Sequence, residues 1–461
     1  MTARLSILYF LQFAIWGCYL SCFGQLLGAG GIGPDIQWFF AAVGIVSLIT
    51  PPLFGHFADR FIPSLRMLGI CHLLASMAMF GAWIYAASHP AMNFWILFSI
   101  YLCFLAFYMP TMALANTTTF SLLQLSGQRP VDRFPAIRVW GTLGFVAAMW
   151  FVNCAYFYEG TFGFTLNDKS PAAPFRFQYT SMQLLASSVT GLLTALYTLS
   201  LPIVKMPTKS GKTSFSDIFG LKAFRLFKIP EVRTFLIFAV FIGVCLQISN
   251  GYAIPYINHF MAFEEYVGSL AAGNATLLFS LSQISEAVFI LVTGIAMKRL
   301  GFRMVIFLAL AAWCLRFLFL GTGNPGEGLW MLIASMIVYG VAFNFFNIAG
   351  HIYMDLKSDA STKGFGQGLL MMMSNGIGAT GGMIAAGAIV NHYCYWKMIP
   401  SPAGTGMIRL FMGDWEIPWL IFAGYALVVG TLFVIFYRRP SISNHEIGSS
   451  ADPRYRVSKC R

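Results

Sequence analysis

The segment from Leu277 to Gly294, LLFSLSQISEAVFILVTG, is long and apolar enough to cross a bilayer yet carries Gln283 and Glu286. At about 1.5 Å per residue, Glu286 sits roughly 12 Å from Gly294, near mid-depth in a hydrocarbon core about 30 Å thick. A carboxylate at that depth costs about 2.5–3.5 kcal/mol on insertion scales, so it turns into the bundle, pairs, or takes up a proton. It is therefore a candidate substrate contact and proton carrier, and it is the one carboxylate that can be placed deep inside a span. Gln283 lies three residues earlier on the same helix face. A plain helix–helix hydrogen bond would use the same pair.

Other spans repeat the device. In LQISN, Gln247 and Asn250 share a face, and each amide both donates and accepts. In VYGVAFNFFNIAG, Tyr339, Phe343 and Asn347 form one stripe with Asn344 beside it. In FPAIRVWGTLGF, Arg138, Thr142 and Phe145 recur at helical spacing behind Pro135, which suits a first helical turn. Arg138 is about 7 Å from that turn, so it can either snorkel to the surface or face inward. Gln12 and Trp16 lie four apart in the first span, and Tyr108, Thr111, Asn116 and Thr117 sit in the fourth. Amide-rich faces on several helices, aromatics among them and a single acid describe one shared cavity. It suits a neutral solute with a flat ring and several hydrogen-bonding groups, the aromatics stacking while the amides read edges. Arg316, about 7 Å from the end of its span, is expected to snorkel to the outer surface, and His72 and His351 are expected to be packed or interfacial.

The elements that must position these groups are membrane helices. Residues are 58% hydrophobic and 10% charged, and mean hydropathy is +0.71, which excludes a soluble globular chain. Apolar runs bounded by charge or by Pro and Gly predict twelve spans, near 5–27, 36–57, 65–87, 93–120, 135–157, 179–203, 233–257, 268–297, 303–321, 329–352, 365–392 and 416–438. The first lacks a small-residue cleavage pattern and reads as a span. The expected organisation is a six-helix half over 1–203, a basic linker over 204–232, a second six-helix half over 233–438 and a tail over 439–461. Lys and Arg concentrate on one side, with Lys169, Arg176, Lys397 and Arg409 on the other, so both termini and the linker are expected in the cytoplasm. The formal charge of +12 then reflects this bias and attraction to anionic lipid, not nucleic acid. Cys18, Cys22, Cys71, Cys103, Cys245 and Cys314 fall inside spans and read as small core residues. No H-x-x-x-H-type metal motif, C-x-x-C pair or companion carboxylate is present, so neither an intramembrane enzyme nor a metal or other cofactor is expected.

Gly55-His56-Phe57-Ala58-Asp59-Arg60 with Arg66 beyond, and Gly294 through Lys298-Arg299 to Arg303, occupy corresponding loops of the two halves. Both resemble the loop motif of the major facilitator superfamily, which implies a gating role for Asp59, Arg60 and Arg66. The strings QFAIWG at 12, YMPTMALANT at 108, FPAIRVWGTLGF at 134, LQISN at 246, SQISE at 282, MIVYGVAFNFFNIAG at 336 and WLIFAGY at 419 resemble the nucleoside:proton symporters of that superfamily. The resemblance spans nearly the whole chain. It implies an all-α fold of two six-helix halves around a central cavity, acting as a monomer in a bacterial inner membrane. It also implies import of nucleosides such as uridine or adenosine with protons, by alternating access. The implied substrate site is Arg138, Thr142, Phe145, Gln247, Asn250, Gln283, Glu286, Tyr339, Phe343 and Asn344. Typical members carry Asp where this chain has Asn344, and an amide cannot carry a titrating proton, so Glu286 is left as the coupling acid. The alternatives at this stage are a related transporter of a sugar or drug, and a proton-independent nucleoside facilitator.

Overall fold

The computed structural model describes residues 1–203, 221–357, 363–402, 404 and 407–437. Residues 204–220, most of the expected linker, and the expected tail lie outside them. Helices account for nearly all of it: α1 (Thr2–Tyr19, followed by a short helix Phe23–Ala29), α2 (Ile36–Arg60), α3 (Ser64–Ser88), α4 (Phe94–Leu125), α5 (Pro130–Cys154), α6 (Met182–Leu199) and α7 (Pro230–His259). Next come α8 and α9 within Ala275–Thr322, then α10 (Leu329–Lys357) and α11, built from Lys363–Met371, a π-helical stretch Met372–Gly378 and Ala379–Tyr393. The last is α12 (Glu416–Phe436).

The twelve expected crossings are present as eleven long apolar helices, because two of them are joined without a loop. At the joint, Gly301 takes φ 77° and ψ 166°, a conformation that a side chain would disfavour, and the chain folds back there. Local chemistry accounts for the other ends. Pro130 and Pro230 open α5 and α7, where a missing N–H loses nothing, and the Asn93 carboxamide caps α4 by accepting from the N–H groups of Trp95 and Ile96.

Small residues set the helix pairings. A Cβ on Gly144 would overlap the Phe10 carbonyl, and one on Gly17 would overlap the Phe145 carbonyl, so α1 and α5 touch backbone to backbone. Gly340 likewise seats α10 on Ser285 of α8, and Gly243 and Gly378 close α7 against α11. Large apolar side chains such as Met77, Leu291, Leu427 and Ile435 stay exposed on the outside, the surface that lipid covers. Cys18, Cys22, Cys71 and Cys245 are buried as expected, whereas Cys103 faces outward and Cys314 is half-buried, since each lies on the outer side of its helix.

Two β-hairpins share one end of the bundle: β1 (Ala155–Tyr158) with β2 (Thr161–Phe164), and β3 (Cys394–Pro400) with β4 (Met407–Gly413). The N-terminus of α1 lies at the opposite end, called the terminal end below. At the hairpin end the halves are bonded together. Arg176, fully buried, donates to Asn274 Oδ1 at 2.6 Å and to the Gly273 carbonyl at 2.7 Å. Asn153 donates to the same Asn274 oxygen at 2.8 Å, Thr276 to Gln178 at 2.8 Å and the Gly268 N–H to Asp168 at 3.0 Å. A second row runs from Gln25 to the Arg409 carbonyl (2.9 Å), from Arg409 to the Gly28 carbonyl (3.2 Å) and from Asn391 to the Pro34 carbonyl (2.8 Å). The Trp396 ring fills the space that a Cβ on Gly28 or Gly33 would need. The loop 158–178, to which the sequence assigned no role, thus supplies Asp168, Arg176 and Gln178 to the first row of this clasp. The ion pair described at the terminal end, Lys357 to Glu231 at 3.0 Å, lies within one half.

Candidate functional site

Between the halves lies a cavity of about 660 Å³, within the range of small-molecule sites. The N-terminal half contributes Phe13, Trp16, Arg138, Thr142 and Phe145, and the C-terminal half contributes Gln247, Asn250, Gln283, Glu286, Tyr339 and Phe343. It continues between Pro51, Pro52 and Asn116 on one side and Gly368 to Met372 on the other, toward the terminal end.

The close α1–α5 packing puts α5's stripe at the cavity wall. There the Arg138 guanidinium lies over the Phe13 ring, 4.1 Å from its centroid. Arg138 does not snorkel, because the aromatic face and the cavity give its charge a place inside. Across the cavity stands Glu286. The two are near enough to interact electrostatically yet make no direct ion pair within 4 Å among the described residues, so a polar ligand has room between them. Tyr339 and Phe343, one helical turn apart, stack with their rings 6° from parallel and their centroids 5.7 Å apart.

Asn344 departs from the expected set. Its side chain is buried and donates to the Glu286 backbone carbonyl at 2.6 Å, so it packs α10 onto α8 and is not among the cavity-lining residues. The next amide along, Asn347, lines the cavity. Of the predicted gating residues, Asp59 and Arg60 end α2 with side chains outside the described residues, and Arg66 is exposed near the start of α3. His72 is packed as expected. It bonds Gln12 Oε1 at 2.6 Å while Gln12 donates to Thr111 at 2.7 Å, tying α1, α3 and α4.

Arg316 corrects an expectation. It is fully buried and does not reach the outer surface, because Ser249, Ser282 and the Ser335 carbonyl satisfy its N–H groups inside the bundle. Sequence reasoning also missed Asn375, which lines the cavity from the π-helical stretch of α11. The available signal was the polar Ser-Asn-Gly string inside an apolar span.

Twelve helical crossings around a cavity between two halves, with the fold of a solved nucleoside transporter, define a membrane transporter of the major facilitator fold. The comparisons narrow the class. The family profile of nucleoside H+ symporters matches residues 1–442. Xanthosine permease of Escherichia coli is 34% identical over 94% of this chain and 95% of its own length, and the nucleoside permease NupG of the same organism is 32% identical over the same shares. Crystal structures of NupG, one of them of a single-substitution variant, superpose with TM-scores of 0.78 and 0.80 at 31% identity, covering 95% of this chain and 99–100% of theirs. The chain belongs to the nucleoside H+ symporter family.

Proposed function

We propose that this chain imports nucleosides together with protons, with Glu286 as the proton-coupling acid and the cavity between the halves as the substrate site. One observation carries the reading: Arg138 from one half and Glu286 from the other face a single cavity beside the Tyr339–Phe343 stack, without closing on each other. Phe145, Tyr339 and Phe343 hold the base. Gln247, Asn250, Gln283, Glu286, Arg138 and Thr142 supply hydrogen bonds to base edges and ribose hydroxyls. Asn344 acts only through the helix backbone it supports, and this family's typical Asp has no acidic replacement there.

Coupling follows from differential burial. When the halves close over the site, an ionised Glu286 without a partner is strongly disfavoured, whereas a protonated one, or one bridged to Arg138 through the substrate, is tolerated. The hairpin end is taken to face outward, with both termini in the cytoplasm of a bacterial inner membrane and a monomer in lipid as the working unit. In that orientation the clasped hairpin end and the open terminal end describe an inward-facing conformation. The halves over 1–203 and 233–438 then rock about the site, with the linker between them.

The test is internal pH in proteoliposomes on adding uridine, for wild type and Glu286→Gln together. Wild type should acidify the lumen as uridine enters, and the variant should exchange labelled uridine without moving protons. Uridine uptake with no acidification by wild type would remove the proton from the reading, and failure to take up any nucleoside would remove the substrate.

A further inference from the structure

The cavity wall rests on a charge that the transport reading does not use. Arg316, in α9, is 0% exposed, and the described residues place no carboxylate against it. A guanidinium kept inside a membrane bundle is costly and by default does something. Its bonds reach three other helices. Nε and Nη2 donate to Ser249 Oγ of α7 at 3.0 and 2.8 Å, and Nη1 donates to Ser282 Oγ of α8 at 3.2 Å and to the Ser335 carbonyl of α10 at 2.7 Å. Ser335 returns a bond from its hydroxyl to the Arg316 carbonyl at 3.0 Å. Each tether adjoins a cavity-lining residue: Ser249 precedes Asn250, Ser282 precedes Gln283, and Ser335 lies one helical turn before Tyr339. The guanidinium carbon also stands 4.6 Å from the centroid of the Tyr339 ring, the ring that stacks on Phe343 and meets Trp313 edge-on.

We infer that Arg316 is a positioning residue for base recognition: its charge holds the Tyr339 ring in the orientation that presents the Tyr339–Phe343 stack to the substrate. The inference rests on the nucleoside reading for its ligand but not for its geometry. A cation over a desolvated aromatic face fixes the ring, and the planar fork bonds three helices at once in a fixed geometry that a compact ammonium does not reproduce. Losing the charge frees the ring, and the stack loses its partner.

The experiment is a double-mutant cycle on the purified full chain, with uridine affinity read by calorimetry for wild type, Arg316→Met, Arg316→Lys, Tyr339→Leu and the Arg316/Tyr339 double variants. Arg316→Met should weaken binding roughly ten- to thirty-fold, and Arg316→Lys, which keeps a cation near the ring, roughly threefold. Both losses should vanish in the Tyr339→Leu background. If Arg316→Met does not fold, the cycle with Arg316→Lys alone decides. A loss of equal size with and without Tyr339, or a Lys variant as impaired as Met, would overturn the inference and leave Arg316 as a brace only. A fluorine resonance from 3-fluorotyrosine at position 339, recorded without nucleoside, keeps this separate from the transport reading. One sharp line in Arg316 protein that splits or broadens with Arg316→Met supports the inference even if uridine does not bind, and an unchanged line refutes it.

Discussion

The two ends of the molecule join the same halves in different ways. At the hairpin end two rows of hydrogen bonds, a buried Arg176 and the Trp396 ring seated on glycines hold the halves in register. At the terminal end the cavity reaches out between Pro51, Pro52 and Asn116 on one side and Gly368, Leu369, Met371 and Met372 on the other. The contrast teaches where the energy of the conformational choice resides. Polar groups satisfied across one seam must all be exposed together for that seam to part, so the hairpin end opens cooperatively.

That contrast can be broken at graded positions. Arg176→Ala should do most, because it strips partners from Gly273 and Asn274 inside a closed seam. The ratio of hairpin-open to hairpin-closed molecules should rise roughly a hundredfold, about 3 kcal/mol. Double electron–electron resonance between spin labels at Thr161 and Glu327, both exposed at that end, reads the ratio, and an unchanged distance distribution would dismiss Arg176 as the clasp. Trp396→Ala should act in the same direction by about tenfold, since it removes apolar contact but leaves no polar group unpaired. Arg66→Gln, an exposed charge at the terminal end, should change the ratio less than twofold. A larger effect from Arg66 than from Trp396 would place the controlling seam at the other end.

Much of this arrangement was legible in the residues. The apolar runs marked every crossing, because in a bilayer a backbone must satisfy itself and twenty apolar residues leave few other options. The stripes Arg138/Thr142/Phe145, Gln247/Asn250 and Gln283/Glu286 were found from helical spacing alone and converge on one cavity. What spacing does not encode is which neighbour a side chain meets. Arg316 and the surface were close enough for snorkelling, and only the assembled bundle brings three serine positions from other helices to it. Asn344 and Asn347 sit one turn apart with the same chemistry, and the rotation of α10 decides that one supports α8 while the other lines the cavity. The part of loop 158–178 in the clasp depends on contacts about a hundred residues away along the chain, as with Arg176 and Asn274.

The joint at Gly301 acts as a ruler. Glu286 precedes it by fifteen residues and Arg316 follows it by fifteen, so the arm that carries Glu286 to the cavity and the arm that carries Arg316 into the bundle are measured from one point with no loop to absorb error. Each inserted or deleted residue in either arm turns everything beyond it by about 100° and shifts it by about 1.5 Å. Single-residue insertions at 290 or 310 are therefore far more damaging than insertions of the same size in the loops that link the other crossings, and length in this stretch is as strictly specified as composition.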